Sequence, residues 1–313
     1  MMEIAPAVLD PAVALVLSPG ARILAFIWGV LWASFGNVVI HRVPLEMSVI
    51  RPRSRCGSCE TPIAGWDNIP IISYLLLRGK CRHCDARFAI RYLVVEILGG
   101  LLSFALYIQI VHVPLLTGGF DLVTPLLSWL FWFAFGLALM IITFIDLDAW
   151  IIPDVVVLPM AILGFATAWI NPDILGVPGL EATLSGVSGY CMFWGIRWVY
   201  LRFRGIEALG LGDAKLLLMV GAFQGFPGLV WCIGAGAVQG LLISVPMLLL
   251  GRNVANSDLH DVHGDDPELG EEDPDGAVVG HRVPFGPFLA LAAMEYVLLR
   301  PTLDGLFQQW MTP

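Results

Sequence analysis

The amino-acid sequence predicts an all-α polytopic membrane protein of about eight transmembrane helices with a small cytoplasmic loop domain. Of its 313 residues, 58% are hydrophobic and only 14% are charged, whereas an average soluble domain carries roughly 25% charged residues. The mean hydropathy is +0.79. The apolar residues also form runs of the length that crosses a bilayer, about 20 residues. An ordinary soluble fold is therefore excluded.

Eight apolar runs are predicted to be membrane-spanning helices, because lipid offers no hydrogen-bond partner to an exposed backbone. They lie at residues 20–40, 92–112, 124–145, 152–170, 183–201, 214–228, 229–250 and 286–307. The sixth and seventh runs are the least clearly divided, since only residues 225–228 (Gly-Phe-Pro-Gly) separate them.

Basic residues predict the orientation, because Lys and Arg concentrate in cytoplasmic loops. The segment after the first run contains nine of the 17 Lys and Arg residues, namely Arg42, Arg51, Arg53, Arg55, Arg78, Lys80, Arg82, Arg87 and Arg91. The loops at 113–123 and 171–182 contain neither residue type. We therefore expect segment 42–91 to be cytoplasmic and the N-terminus to lie outside.

With this orientation, two acidic motifs reach the cytoplasmic face of the membrane. Asp146 follows the third run, and Asp213 lies in the turn Gly-Leu-Gly-Asp-Ala-Lys at 210–215. Two close carboxylates can share one proton, so that one acts as general base on a water while the other protonates the scissile carbonyl. Asp146 and Asp213 are thus predicted to be the catalytic pair of a protease. Gly210, Gly212, Lys215 and Asp148 are predicted to support it, the glycines by permitting a tight turn.

Structural roles for these acids remain open at this point. Asp154 is expected to be only a capping or interface residue of the fourth run, and the same interpretation is available for Asp148. Asp213 is alternatively a cap of the sixth run, with Lys215 as its local partner.

Four cysteines predict a metal site in the first cytoplasmic loop. Cys56 and Cys59 form one Cys-x-x-Cys pair, Cys81 and Cys84 form another, and residues 60–80 separate them. This spacing is close to that of four-cysteine zinc sites, whose closed shell is structural. Disulfides or free thiols are the alternative, although a cytoplasmic loop is reducing. His83 is expected to be a surface residue, and Cys191 and Cys232 inert packing residues within spans.

These motifs together resemble one family, the prepilin peptidases or type IV leader peptidases. The resemblance covers most of the chain in family order, through residues 34–44, the four cysteines, 67–70, 91–96, 145–153, 210–215 and 284–287. It implies cleavage after a glycine of the short basic leader of a prepilin or pseudopilin, at the cytoplasmic border of the substrate's apolar helix. The family's two aspartates correspond to Asp146 and Asp213.

The resemblance also implies a location, a second activity and a methyl donor. It places the chain in the bacterial inner membrane, with its active site at the cytoplasmic face. Family members with the four-cysteine loop are often bifunctional and methylate the new N-terminal amine with S-adenosylmethionine. Glu96 is a weak candidate for that half of the enzyme, and an interface anchor is the favoured alternative.

Five parts are predicted along the chain. They are an N-terminal segment with the first transmembrane helix at 1–41, the cytoplasmic four-cysteine zinc-binding loop at 42–91, transmembrane helices carrying the protease core at 92–251, an acidic and flexible cytoplasmic loop at 252–283, and the last transmembrane helix with the C-terminus at 284–313. The net charge of −9 indicates no nucleic-acid partner, and the basic loop indicates contact with the lipid bilayer.

Two other classes of function are considered, a transporter and a non-catalytic zinc-containing membrane scaffold. Transporters place binding carboxylates near the middle of the membrane, whereas both predicted acids lie at one face. A scaffold would leave the aspartate and glycine turn without a role.

Overall fold

The computed structural model describes residues 10–118, 121–205, 210–249 and 284–311. Within these ranges all regular structure is helical, apart from two isolated antiparallel bridges, Arg55–Pro62 and Lys80–Arg87. The predicted all-α class is confirmed. The predicted acidic loop at 252–283 lies outside the described residues.

The helices are numbered here in chain order. They are α1 (Pro11–Leu17), α2 (Pro19–Arg42), α3 (Ile72–Leu76), α4 (Arg91–Tyr107), α5 (Val113–Leu116), α6 (Val123–Ala149), α7 (Asp154–Ile170), α8 (Pro172–Leu175), α9 (Gly179–Arg204), α10 (Leu211–Leu249) and α11 (Gly286–Met311). A 3₁₀ turn, Gly65–Asn68, precedes α3, and a π-helical turn, Ile108–His112, joins α4 to α5.

Four stretches among the described residues are long and apolar enough to cross a membrane, judged by length and composition. They are Pro19–Arg42, Arg91–Leu116, Val123–Ala149 and Leu211–Pro246, and Asp154–Ile170 is a shorter apolar helix. Membrane-crossing helices are thus supported. The predicted count of eight spans is not confirmed and stays a prediction.

The chain divides into two compact units, the first formed by the residues up to Val39 together with 48–137. In this unit α2 and α4 approach so closely that a side chain on Gly29 would collide with the backbone carbonyl of Gly99. The Ser103 hydroxyl donates to the Ala25 carbonyl at 2.7 Å across the same contact. Small residues therefore join these two helices backbone to backbone, as is common between helices in lipid.

The second unit contains residues 40–47 and the chain from Ala138 onward. Its centre is α10, where Leu216, Leu217 and Phe223 are fully buried. The α9 helix packs against α10 through Gly186 and Gly221, and a side chain on either glycine would overlap backbone atoms of the other helix. The Ser185 hydroxyl donates to the Gly221 carbonyl at 2.9 Å. This contact holds α10, whose first turn carries Asp213, against α9.

The long helix α10 is broken at Gly225, whose φ of 67° and ψ of −165° are not helical. The break falls where the sixth and seventh apolar runs were predicted to divide. The N–H of Phe226, the first residue after the break, donates to the Glu181 carboxylate at 3.3 Å. The negative charge of this carboxylate also interacts favourably with the positive N-terminal end of the dipole of the following helix. Glu181 therefore stabilises the restart of the helix.

Replacing Gly225 with alanine should destabilise the folded chain by about 1–3 kcal/mol, because a positive φ is costly for other residues. The new Cβ would also lie 2.5 Å from the Glu181 Oε1 atom. Thermal unfolding in detergent measures the effect. The matched control is Gly234→Ala in the same helix, where the space beside the glycine is open. Equal melting temperatures for the two variants would contradict this account of the break.

Candidate active site and four-cysteine centre

The two predicted catalytic aspartates come together in the second unit. Asp146 lies in the last turn of α6 and Asp213 in the first turn of α10. Asp146 is 5% exposed and Asp213 8% exposed, and the two carboxylates interact electrostatically. The backbone N–H of Gly210 donates to the Asp213 carboxylate. The end of α6 and the start of α10, separated by residues 147–212, thus place two buried acids within electrostatic range of each other.

Glycines give these carboxylates their space. A Cβ at Gly286, the first residue of α11, would overlap the Asp146 Oδ2 atom and come within 2.9 Å of the Ile152 side chain. A Cβ at Gly212 would approach Ile152 from another side, at 2.8 Å. Ile152, in the link between α6 and α7, therefore lies between two glycines, and one of them also adjoins Asp146. The roles of Ile152 and Gly286 were not predicted, although Gly286 belongs to the motif at 284–287.

An ion pair joins two helix starts near this site. The Lys215 ammonium lies 2.7 and 2.8 Å from the two carboxylate oxygens of Asp154, the first residue of α7. Pro153 occupies the N-cap position, so Asp154 is not the N-cap of this helix, and its expected role as an interface residue stays a prediction. The sequence suggested Lys215 as a local partner of Asp213. Its ion pair with Asp154 was not predicted, because sequence spacing does not show which helix starts are adjacent. Asp148 is exposed, so Asp146 is the buried member of the Asp146–Asp148 pair.

Replacing Gly286 with alanine should lower the activity of this site while the chain stays folded. The added methyl would displace the Asp146 carboxylate, and a displacement of about 1 Å can cost roughly 10²-fold in rate. The assay measures the rate of the cleavage that the family resemblance implies, together with the melting temperature. Gly305→Ala, in the same helix and with open space beside it, is the control and should retain wild-type activity. A fully active Gly286→Ala variant would disprove the role of this glycine.

The four cysteines of the first unit converge as predicted. All four Sγ atoms lie within 4.8 Å of one another. Cys56 and Cys84 are separated by 3.7 Å, and Cys59 and Cys81 by 3.9 Å. Tetrahedral zinc with Zn–S bonds of about 2.3 Å requires sulfur atoms about 3.8 Å apart. All four are free thiols, so these residues fit a zinc ion, and His83 is an exposed neighbour outside the cluster.

The two cysteine pairs adopt the same turn. In each, the N–H of the first cysteine donates to the carbonyl five residues later, and its carbonyl accepts from the N–H four residues later, with N···O distances of 2.8–3.1 Å. Glu60 and Asp85 occupy equivalent positions with φ of 54° and 55°. We call these two turns the first knuckle (residues 56–61) and the second knuckle (residues 81–86). Such repetition is expected where two knuckles contribute equally to one tetrahedral shell.

Polar contacts near the cysteines favour the thiolate of Cys59 and hold the second cysteine pair to the chain between the pairs. Hydrogen bonds with the Thr61 hydroxyl and the Thr61 backbone N–H lower the pKa of Cys59 to about 6. The Arg82 guanidinium donates to the Asp67 carboxylate at 2.8 Å through Nε and lowers the pKa of that carboxyl. The second knuckle is thereby linked to the 3₁₀ turn before α3.

Glu96 and the two remaining cysteines have surroundings of their own. Glu96 is 8% exposed in α4, where it accepts hydrogen bonds from the Ile71 N–H at 2.7 Å and the Ser34 side chain. These contacts are those of an anchor, while a role toward the methyl donor stays a prediction. Cys232 is buried as expected, whereas Cys191 is exposed. Cys191 lies on the outward face of α9, so its predicted packing role is wrong.

Fold and site together define a helical membrane protein with paired buried carboxylates and a four-thiol centre. Residues 27–110 match the family described as "Bacterial Peptidase A24 N-terminal domain", and residues 132–250 match the "Type IV leader peptidase family". The chain belongs to the type IV leader peptidase family, as the resemblance predicted, and its family and apolar helices make it an inner-membrane protein.

Three relatives carry the name prepilin leader peptidase/N-methyltransferase. The protein from Myxococcus xanthus (strain DK1622) is 32% identical, over 91% of this chain and 92% of its own length. The protein from Neisseria gonorrhoeae is 35% identical over 77% of this chain and 87% of its own length. The protein from Stutzerimonas stutzeri is 32% identical over 96% of this chain and 99% of its own length. No solved structure matches the chain.

Proposed function

We propose that this chain is a membrane aspartyl endopeptidase that removes the basic leader of prepilins or pseudopilins after a glycine, at the cytoplasmic face. The observation that carries the proposal is the pairing of Asp146 with Asp213, both more than nine-tenths buried. The names of the relatives support the substrate class.

In this mechanism the pair performs general acid–base catalysis on a water molecule. One carboxylate takes a proton as the water oxygen attacks the scissile carbonyl, and the other, protonated, donates to the carbonyl oxygen. Collapse of the tetrahedral intermediate breaks the C–N bond, and the leaving nitrogen takes up a proton. Two like charges so close ionise together only at a cost, which favours the singly protonated state that this chemistry needs.

The surrounding residues support this chemistry by fixing the acids. The N–H of Gly210 orients Asp213, Gly212 and Gly286 leave room for Ile152 and Asp146, and Lys215 holds the start of α10 to Asp154. Asp148, which is exposed, is proposed to support the site without joining the pair.

An eight-span topology with the N-terminus outside fits this proposal. The 39 residues of α10 would extend about 58 Å as a straight helix, nearly twice the roughly 30 Å hydrocarbon core. The break at Gly225 therefore favours two spans, and α2, α4, α6, α7, α9 and α11 provide six more. The ends of the helices that carry Asp146 and Asp213 then lie on the side of the basic segment 42–91. The five parts predicted along the chain keep their bounds in this proposed topology.

The relatives' names support N-methylation of the new N-terminus as a second activity. Its methyl donor would be S-adenosylmethionine. The described contacts assign no residue to that molecule. The four cysteines would hold zinc in a closed and therefore structural shell.

The test uses the purified full chain in phospholipid vesicles with a full-length prepilin, with and without S-adenosylmethionine. Mass spectrometry should show loss of the leader in both conditions and one additional methyl group only with the donor. An uncut prepilin at normal protein levels would favour the scaffold or transport function. Cleavage without methylation would retain the peptidase and overturn the second activity.

A further inference from the structure

An exposed apolar surface covers the chain between the two cysteine knuckles. It consists of Trp66, Ile69, Ile72, Leu75 and Leu76, with exposed fractions of 73%, 45%, 54%, 61% and 78%. Large side chains this exposed are unusual when grouped on a small polar domain. This surface is called the apolar face of segment 66–76.

The helix α3 directs these side chains outward. Ile72, Leu75 and Leu76 are spaced i, i+3 and i+4, which places them on one side of the helix. Ser73 is buried, and its hydroxyl donates to the Trp66 carbonyl at 2.8 Å. The side of α3 that carries Ser73 is therefore buried against the rest of the fold, and the opposite side is exposed.

The position of segment 66–76 relative to the membrane helices is fixed by Glu96. The carboxylate of Glu96 accepts the Ile71 N–H at 2.7 Å, immediately before α3. Glu96 lies five residues into α4, and therefore about 7.5 Å along it at 1.5 Å per residue. Since α4 begins one of the candidate membrane spans, Ile71 lies level with the first turns of that span. Ile71 has a φ of 62°, costly for a β-branched residue, and the bond to Glu96 helps to hold it there.

Positive charge follows the apolar face. Arg78 and Lys80 come directly after α3, Arg87 follows the second knuckle, and all three are exposed. An apolar surface containing tryptophan and followed by basic side chains matches the boundary between acyl chains and anionic headgroups. The leader of the proposed substrate is basic and would be repelled here, so charge favours a lipid surface over a prepilin.

We propose that segment 66–76 inserts its apolar face into the headgroup–acyl boundary of an anionic bilayer leaflet, with Glu96 as the positioning residue that sets its depth. This interaction goes beyond the proposed peptidase activity, and only the exclusion of a prepilin as the occupant rests on that proposed function. It assigns Glu96 to holding the cysteine-bearing segment on the membrane.

Site-specific photo-crosslinking tests the proposal in the full chain. A benzophenone amino acid replaces Leu76 or, as a control, Glu60, an exposed polar position in the first knuckle. The chain is reconstituted with its metal in vesicles of phosphatidylethanolamine with or without phosphatidylglycerol. After illumination, mass spectrometry identifies the adduct. Lipid adducts are expected at position 76, with more in the anionic vesicles, and only background at position 60.

Glu96 variants then test the positioning role. Glu96→Ala should reduce the lipid adduct at position 76 to the level at position 60, whereas Glu96→Gln, which retains an acceptor oxygen, should preserve it. Zinc content should stay equal in both variants, which separates positioning from unfolding of the cysteine segment. Equal lipid adducts at positions 76 and 60, or adducts at 76 only to a second copy or to added prepilin, would overturn the proposal. Because crosslinking needs no cleavage, neither result bears on the test of the peptidase activity.

Discussion

Asp146→Asn and Asp213→Asn should each lower leader cleavage by about 10²–10⁴-fold, the contribution expected from a general acid or base. Asparagine has nearly the same shape as aspartate but neither accepts nor releases the proton. The two carboxylates are buried and interact with each other, so either change should disable the same step. The double variant should therefore be little worse than each single one.

The control for this pair is Asp148→Asn, which changes an exposed neighbour of Asp146. We expect it to lose far less activity than either member of the pair, because Asp148 is proposed only to support the site and transfers no proton. Initial rates on a full-length prepilin in vesicles, at matched protein levels, compare the four variants. Loss of activity in Asp148→Asn with retention in Asp146→Asn would show that Asp148, and not Asp146, is the catalytic partner of Asp213.

Cys56→Ser and Cys81→Ser should each abolish high-affinity zinc binding and unfold the cysteine-bearing segment. Each change removes one ligand from a four-sulfur shell, and structural zinc contributes an apparent binding free energy of about 10–16 kcal/mol in zinc-finger peptides. Metal analysis should fall from one zinc per chain to none. Limited proteolysis should cut between the knuckles much faster than in the wild type.

Cys191→Ser is the control for the metal prediction, since Cys191 is a free and exposed cysteine on α9. It should retain one zinc and wild-type resistance to protease. A wild-type chain that is folded and protease-resistant without any metal would refute a structural zinc. If one ferrous or other thiophilic ion per chain were found instead of zinc, the four-sulfur site would stand and only the identity of its metal would change.

Several features followed from the sequence because their signal is local or depends only on topology. Cys-x-x-Cys spacing predicts which residues could share one metal ion, and the four thiols do converge. Counting apolar runs predicts the side of the membrane on which each helix begins or ends, and this prediction was enough to expect Asp146 and Asp213 at the same face. The break at Gly225 follows from a glycine and a proline close together.

Other features require the packing of helices, which the sequence does not specify. Nothing in the spacing of Asp154 and Lys215 shows that α7 and α10 start side by side. The bond from Ile71 to Glu96 depends on a positive φ at a β-branched residue, which sequence propensities disfavour. Cys191 was expected to pack, but only the rotation of α9 decides which residues face outward.

The contact between Gly286 and Asp146 also bears on the order in which the protein is made. Translation delivers Asp146 and Asp213 to the membrane well before the start of α11. A nascent chain that has not yet reached residue 286 holds both acids but lacks the glycine that packs against the Asp146 carboxylate. The peptidase should therefore become competent only late in synthesis, and chains truncated before α11 should be inserted yet inactive.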